Sequence, residues 1–277
     1  MQFITLKGAK VPALGLGTYP MSGASGQRAI AEAIGVGYRH IDTAQMYGNE
    51  ADVGAAIKAS RVDRAEIFVT TKIDNSNHSA AAVKRSTTES LSKLGTDYID
   101  LLLIHWPVRQ VPLDETLDAM LALKAAGKVR HLGVSNFNVK LLAEVAKKHV
   151  ADLVCNQVEY HPFLSQRAVL GELARQGMML TAYCPVAHGK VAKEPVIVAI
   201  AKRLGKTPAQ VTLRWLIEQK NVAAIPKASS RAHLEENFAI FDFELSDADR
   251  KAIHALGGPA GRIVNPPAGW SPGWDRD

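Results

Sequence analysis

The stretch Ile99-Asp100-Leu101-Leu102-Leu103-Ile104 decides the fold of this chain. It is nearly continuous apolar, which is typical of a strand that other elements cover on both faces. A polar residue, His105, follows it directly. The stretch therefore indicates an α/β protein whose buried strands alternate with covering helices.

Other β-like runs lie on both sides of this strand, and helical patterns separate them. The runs are Ala13–Gly17, Tyr38–Ile41, Ile67–Thr71, His131–Val134, Leu153–Gln157, Met179–Tyr183 and Val222–Ile225. The helical stretches are Ser25–Ile34, Glu50–Ala59, Asn77–Leu94, Leu113–Ala126, Val139–Lys148, Gln166–Arg175, Pro195–Leu204, Pro208–Glu218, Arg231–Phe238 and Asp247–Ala255. Eight strand–helix alternations in ~250 residues predict a (β/α)8 TIM barrel. We expect one domain over residues 1–277, with an N-terminal β-hairpin at residues 2–12 and a C-terminal tail over the active-site face.

An open doubly wound sheet is the competing fold. Its glycine fingerprint could begin at Gly15-Leu16-Gly17, but Pro20 occupies the sixth position of that motif. No acidic residue follows in the expected context about 20 residues further on. We therefore interpret these glycines as the end of a first barrel strand.

Composition restricts the functional classes. The formal charge is +6, but the 33 basic residues are mixed with 27 acidic ones, so nucleic-acid binding has little support. The sequence contains no run of ~18 apolar residues, so no membrane span is predicted. The N-terminus has no signal-peptide pattern. Cys155 and Cys184 both lie in apolar runs, which indicates buried free thiols in a reducing compartment, the cytoplasm.

Titratable side chains stand where the predicted strands end. Asp42 ends the second strand, Tyr47 lies in the loop beyond it, and Lys72 and His105 end the third and fourth strands. Taken singly, each is more often structural than catalytic. Adjacent strands are ~5 Å apart, and the active groups of a barrel gather at this end. The combination therefore predicts an active site.

The chemistry that fits is proton donation by Tyr47. A free phenol has a pKa of about 10, and a nearby ammonium such as Lys72 is expected to lower it. Asp42 can keep that ammonium charged, and His105 can hydrogen-bond a substrate oxygen. This is general acid catalysis at an oxygen that becomes negative. None of these residues is placed to attack the attached carbon, and a hydride from a nicotinamide fits that role.

The chain resembles the aldo-keto reductases over almost its whole length, most of all the bacterial 2,5-diketogluconate reductase branch. The motifs are Gly17–Tyr19, Gly37–Ala44, Tyr47–Glu50, Lys72, His105, Gly133–Asn136, Asn156-Gln157 and Ile225–Lys227. The resemblance implies a catalytic tetrad of Asp42, Tyr47, Lys72 and His105. It implies that Ser135, Asn136 and Gln157 hold the nicotinamide amide, that Tyr183 stacks under the ring, and that Thr18 and Asp42 also belong to the cofactor site.

The expected cofactor is NADPH, although one position departs from the family. Lys227, Ser229 and Asn237 fit the family's 2′-phosphate site, but Ala228 replaces a serine and His233 stands where an arginine is expected. A guanidinium offers a permanent charge and a bidentate fork, whereas imidazole is mostly neutral. Ser230 and Arg231 stand nearby. We therefore predict NADPH with a weakened preference over NADH.

Aromatic and apolar residues are expected to form the substrate pocket around Tyr47 and His105. They are Tyr19, Met46, Trp106, Trp270 and Trp274. Such walls suit a small carbonyl substrate, such as an aldehyde, a 2-oxoaldehyde or a keto sugar. Simple packing is an equal alternative for the two tail tryptophans. A monomer is expected, with no nucleic-acid or membrane partner.

Three other functions remain open from the sequence. A Schiff-base aldolase would use Lys72 as its nucleophile. A metal-dependent hydrolase would use His40, Asp42 and His105, but a further ligand at suitable spacing is missing, so no metal is expected. A non-catalytic, cofactor-sensing subunit would keep the fold, although an intact tetrad argues against it.

Overall fold

Eight parallel strands curl into a barrel in the computed structural model, which describes residues 1–108, 110–267 and 269–275. A hairpin of β1 (Phe3–Leu6) and β2 (Ala9–Pro12) precedes the barrel. The barrel strands are β3 (Leu16–Gly17), β4 (His40–Asp42), β5 (Phe68–Ile73), β6 (Ile99–Ile104), β7 (Val129–Ser135), β8 (Leu153–Glu159), β9 (Met179–Tyr183) and β10 (Val222–Ala224). Each pairs in parallel with its neighbour in chain order.

Ten helices of the described residues follow or flank these strands. They are α1 (Gly23–Val36), α2 (Glu50–Ser60), α3 (Ala80–Leu94), α4 (Leu113–Ala125), α5 (Val139–His149), α6 (Arg167–Gln176), α7 (Pro195–Leu204), α8 (Pro208–Ile217), α9 (Arg231–Phe238) and α10 (Asp247–His254). Short 3₁₀ turns lie at Gln45–Tyr47, Arg64–Glu66, Ala187–Lys193 and Pro259–Gly261. The predicted (β/α)8 barrel and its N-terminal hairpin are confirmed.

The predicted first strand serves two neighbours, which explains why β3 is shorter than expected. Leu14 forms a parallel bridge with Ala224 of β10, and the amide N–H of Gly15 donates to the Ala224 carbonyl at 2.9 Å. Leu16 and Gly17 pair instead with β4. The run Ala13–Gly17 therefore closes the barrel between its last strand and its second.

The helices begin and end where local chemistry satisfies their free backbone groups. The Thr207 hydroxyl accepts from the Gln210 amide, and Gln210 Oε1 accepts from the Thr207 amide, so α8 has a full capping box with Pro208 in its first turn. Helix α3 begins at Ala80, three residues later than predicted. Asn77 lies in the preceding loop, where its side chain donates to Gln45 at 3.1 Å.

The hairpin closes the end of the barrel at which the strands begin. Gln2 Nε2 donates to the carbonyl of Ile217, the last residue of α8, at 3.1 Å, and the chain from there leads into β10. Lys7 Nζ donates to the Leu153 carbonyl at the start of β8, at 2.9 Å. The opposite end, where the strands finish, is therefore the open end. Among the described residues, no helix is long and apolar enough to cross a membrane.

Candidate active site

A buried ion pair lies at the centre of the open end. Lys72 on β5 and Asp42 at the end of β4 are both buried, and the ammonium nitrogen lies 2.5 Å from Asp42 Oδ1. Lys72 Nζ also donates to the Thr43 carbonyl at 2.8 Å. Burial lowers the pKa of Lys72, but Asp42 and Tyr47 outweigh burial, so this pKa lies above its usual value. Lys72 is therefore a permanent cation at neutral pH.

Tyr47 completes this group from the short turn beyond β4. Lys72 Nζ lies 3.4 Å from the phenol oxygen and 4.9 Å from the ring centroid. Burial raises the pKa of Tyr47, and the Lys72 charge opposes that rise without cancelling it. The expected net lowering is therefore wrong for the chain alone, because desolvation of the phenolate outweighs the attraction to Lys72. The phenol keeps its proton at neutral pH.

His105 faces Tyr47 from the end of β6. The two ring centroids lie 5.6 Å apart in an edge-on arrangement. Burial, followed by the charge of Lys72, holds the pKa of His105 well below its usual value. The imidazole is therefore neutral, with one N–H that can donate to an oxygen. The structure brings together the four residues predicted to be catalytic.

Amide side chains line the ends of β7 and β8 beside the ion pair. Gln157 Nε2 donates to Asp42 Oδ2 at 2.7 Å. Ser135 Oγ donates to the Gln157 carbonyl at 2.8 Å, and Asn136 Nδ2 donates to the His105 carbonyl at 3.0 Å. The Tyr183 hydroxyl donates to Asn136 Oδ1 at 2.8 Å. The predicted nicotinamide residues therefore form one connected network with the ion pair.

Thr18 is fixed by a residue that sequence reasoning missed. Asn49 is fully buried, and its Nδ2 lies 3.1 Å from Thr18 Oγ1 and 2.8 Å from the Met21 carbonyl. The Thr43 hydroxyl donates to Asn49 Oδ1 at 2.6 Å. Asn49 thus joins the loop after β3 to the loop after β4. Its position in the Tyr-Gly-Asn-Glu motif was the available signal.

The predicted phosphate residues lie just before α9 and along it, with Asn237 near its end. Lys227 Nζ donates to Ser229 Oγ at 3.2 Å on the surface. Ser230 caps α9 by accepting from the His233 amide, and Arg231 is paired with Glu235 at 2.8 Å. His233 is exposed and Asn237 is buried. Ser230 and Arg231 therefore already have partners within the helix.

The residues predicted to line the pocket lie near Tyr47 and His105, either directly or through contact with Trp106. The Tyr19 ring lies 5.0 Å from that of Tyr47 and is otherwise exposed, as is Met46. The buried Trp106 ring lies 6.4 Å from that of His105. Trp270 and Trp274 each place a ring 6.2 Å from Trp106. The tail tryptophans therefore do reach the open end of the barrel.

One cysteine differs from the sequence expectation, and the alternative metal site can be compared with the geometry. Cys155 is buried, but Cys184 is only half-buried and its sulfur lies 3.3 Å from His188 Nε2. His40 Nε2 lies 3.1 Å from Thr70 Oγ1, and in the described part of the chain no three His, Cys, Asp or Glu side chains are grouped to hold a metal. The geometry therefore gives no support to a site of His40, Asp42 and His105.

Comparison with known proteins adds an independent finding. A model of the aldo/keto reductase family matches residues 13–257. Methylglyoxal reductase DkgB of Escherichia coli O157:H7 is 40% identical over 268 residues, which cover 96% of this chain and 99% of that protein. An aldo-keto reductase of Mycolicibacterium smegmatis is 40% identical over 255 residues, covering 91% and 92% of the two chains. A solved structure described as a 2,5-diketo-D-gluconic acid reductase B is 48% identical, with a TM-score of 0.96 and coverage of 99% and 98%.

Proposed function

The chain belongs to the aldo/keto reductase family, and on this premise we propose that it reduces small aldehydes and ketones to alcohols with NADPH. The observation that carries the proposal is the Lys72 ammonium, which lies 2.5 Å from Asp42 and 3.4 Å from the phenol oxygen of Tyr47. This arrangement puts a fixed positive charge next to a protonated acid.

Each residue of the group has a distinct task in this reaction. Tyr47 gives its proton to the carbonyl oxygen as negative charge develops there. Lys72 stabilises the phenolate that remains, and Asp42 keeps Lys72 charged and in place. Neutral His105 donates a hydrogen bond to the same oxygen and fixes its direction. The raised pKa of Tyr47 ensures that the acid is protonated before substrate binds.

The nicotinamide cofactor would supply a hydride to the carbonyl carbon. The donor set fits such a group, because Gln157 uses its Nε2 on Asp42 and keeps its side-chain carbonyl as an acceptor for a carboxamide N–H. Ser135, Asn136 and Tyr183 belong to the same network, and Thr18 and Asp42 border it. These residues would hold the nicotinamide end.

Lys227 and Ser229 would hold the 2′-phosphate of NADPH. Their ammonium and hydroxyl lie 3.2 Å apart on an exposed surface, which suits an anion with several acceptor oxygens. His233 provides no permanent charge there. We therefore propose NADPH as the cofactor, with a weakened preference over NADH. Asn237 would be a further contact to this cofactor. Measured kcat/KM values that strongly favoured NADH would refute this.

The substrate class rests on pocket chemistry and on relatives. Tyr19, Met46, Trp106, Trp270 and Trp274 supply mainly apolar and aromatic surface around the catalytic group. The names of two relatives refer to methylglyoxal, a 2-oxoaldehyde, and to a diketo sugar acid. We propose 2-oxoaldehydes and keto sugars as substrates. Cytoplasmic location is proposed from the unpaired Cys155 and Cys184.

Two other enzyme or binding functions have less support. A Schiff-base lysine needs a lowered pKa, whereas the pKa of Lys72 is raised by its partners. A non-catalytic, cofactor-sensing subunit would have no need for the grouped Asp42, Tyr47, Lys72 and His105, and no relative named above is described as one.

Replacing Tyr47 with Phe tests the proposal. We expect kcat for aldehyde reduction to fall at least ~100-fold, the scale for loss of a general acid, while NADPH binding measured by fluorescence titration stays nearly unchanged. Tyr98→Phe is the matched control, because the Tyr98 hydroxyl makes only a 3.4 Å contact with the Arg64 carbonyl. Full activity in Tyr47→Phe would show that another group donates the proton.

A further inference from the structure

The C-terminal tail, defined as the described residues from Gly257 to Asp275, forms one wall of the pocket at the open end. It crosses the ends of β7 and β8 and carries Trp270 and Trp274 to Trp106, with centroid distances of 6.2 Å for each ring. Trp106 directly follows His105 in the chain. The tail therefore lies against the residue that follows His105 in the chain.

Packing fills only part of the space between the tail and the barrel, where Ile263 contacts the core. A cavity of about 690 Å³ lies between them, lined among others by Phe137, Val158, Ala260, Asn265, Trp274 and Asp275. Atoms that face a cavity lose contacts with a partner on that side. Polar contacts between the tail and the barrel therefore contribute to the attachment beside this packing.

The first of these contacts is a buried carboxylate, Glu159, at the end of β8. Glu159 is fully buried and accepts from the amides of Ile263 at 2.6 Å and Val264 at 2.9 Å. His161 Nε2 lies 2.9 Å from it and Arg262 Nη1 lies 3.6 Å from it. Burial raises the pKa of Glu159, but the hydrogen bonds from His161 and the two tail amides outweigh burial. The pKa of Glu159 therefore lies below its usual value. The carboxylate is therefore charged, which strengthens both tail hydrogen bonds.

The second contact is Asn138, immediately before α5. Its Nδ2 donates to the Pro272 carbonyl at 3.0 Å and to the Gly273 carbonyl at 2.8 Å. Its Oδ1 accepts from the Leu141 amide and so caps α5. Asp275 accepts from the Val139 amide at 3.0 Å. The amide of Asn138 thus fixes the segment of the tail that carries Trp274.

The same two strand ends serve the catalytic group. Gln157 contacts Asp42, and Glu159 lies two residues further along β8, on the same face of the strand. Asn136 belongs to the amide network at the end of β7, and Asn138 follows two residues later. The tail is therefore attached to the elements that position Asp42 and His105.

We propose that Glu159 and Asn138 are specificity-determining positioning residues, which hold the tail and thereby set the size of carbonyl compound that reaches His105 and Tyr47. The proposal rests on the proposed reductase function and extends it. Neither residue touches the reacting atoms. Their effect is on the room between Trp106, Trp270 and Trp274.

Two variants and one control test this. Asn138→Asp keeps the oxygen that caps α5 but loses both donors to the tail. Glu159→Gln loses the charge and one acceptor. Glu172→Gln is the control, because Glu172 is also buried but pairs with Arg175 and Gln176 on its own helix. Each protein is assayed with NADPH against a small and a bulky aldehyde, and tail release is measured by trypsin cleavage at Arg262.

We expect both tail variants to be cleaved about 10-fold faster or more, because cleavage follows the open population and each loses a charged or paired hydrogen bond. The ratio of kcat/KM for the bulky to the small aldehyde should rise several-fold, mainly through KM, with NADPH affinity unchanged. The Glu172→Gln control should match wild type in both assays.

Unchanged cleavage in both variants would overturn the attachment. Faster cleavage with an unchanged ratio would overturn the role in specificity. If the wild type reduced no carbonyl compound at all, the proposed function and with it the specificity role would fail. Cleavage needs no substrate, so that failure would be distinguishable from a failure of the tail contacts.

Discussion

Replacing Asp42 with Asn should destabilise the protein strongly, because it leaves the Lys72 ammonium buried without its carboxylate. The two side chains are 1% and 2% exposed, and their charged atoms lie 2.5 Å apart. Removing one partner of a buried pair costs about 3–5 kcal/mol. Lys72 keeps the Thr43 carbonyl and the Tyr47 hydroxyl as acceptors, so we expect the lower end, about 3 kcal/mol.

That loss corresponds to a measurable shift in Tm. A chain of 277 residues has an unfolding entropy of about 0.6 kcal/mol/K near its Tm, so about 3 kcal/mol lowers Tm by about 5 °C. Calorimetry at pH 7 measures this. The control is Asp242→Asn, which breaks a 2.6 Å pair with Lys206 on the surface and should leave Tm nearly unchanged.

A double variant, Asp42→Asn with Lys72→Met, closes a cycle with the two single variants and gives a sharper test. Removing both charges leaves neither Asp42 nor Lys72 as an unpaired buried ion, so the double variant should be more stable than the sum of the single losses predicts. An Asp42→Asn protein with the same Tm as the Asp242→Asn control would refute the predicted cost of the unpaired ammonium. So would additive losses in the cycle, since they would mean that the two charges do not interact.

Two further predictions follow from the same residues. Because the folded-state pKa of Lys72 lies above the usual 10.5, its contribution to stability is complete below that pH and is lost as the pH rises through the folded value. Urea unfolding between about pH 8 and about pH 11 should therefore show a fall in the free energy of unfolding of the wild type that Lys72→Met does not show. Parallel curves of this free energy against pH for the two proteins would contradict the prediction. His233→Arg should raise the preference for NADPH over NADH by about 10-fold or more, since it adds a permanent charge and a bidentate donor at the proposed phosphate site. Comparing kcat/KM with both cofactors measures this, and an unchanged ratio would exclude a role for position 233.

Local chemistry made much of the fold predictable. Strand β6 and helix α7 were predicted residue for residue. The strand follows from a nearly continuous apolar run, and the structure places a proline, Pro195, in the first turn of the helix. The start of α3 was wrong because Asn77 bonds to Gln45, a partner far away in the chain. Likewise, the bounds of β3 depended on pairing with β10, which no local pattern encodes.

The residues of the candidate site were predictable from the sequence, but their pKa shifts and long-range partners were not. Strand ends and residue types sufficed to group Asp42, Lys72 and His105. The direction of the pKa shift of Tyr47 was not predictable, because it depends on how far burial outweighs one nearby charge. Glu159 could have been found from the sequence, since an acid at the end of an apolar strand must have a buried partner. Its partners in the tail could not.

The hairpin at the closed end of the barrel has a practical consequence for handling the protein. Because Gln2 and Lys7 bind at the end where the strands begin, a fusion partner or surface linker joined to Met1 would lie on the far side from the catalytic group. We expect an enzyme immobilised through that residue to keep its open end facing the solution. Attachment through Asp275 would instead pull on the segment of the tail that carries Trp274. It would therefore disturb the open end of the barrel, where the catalytic group lies.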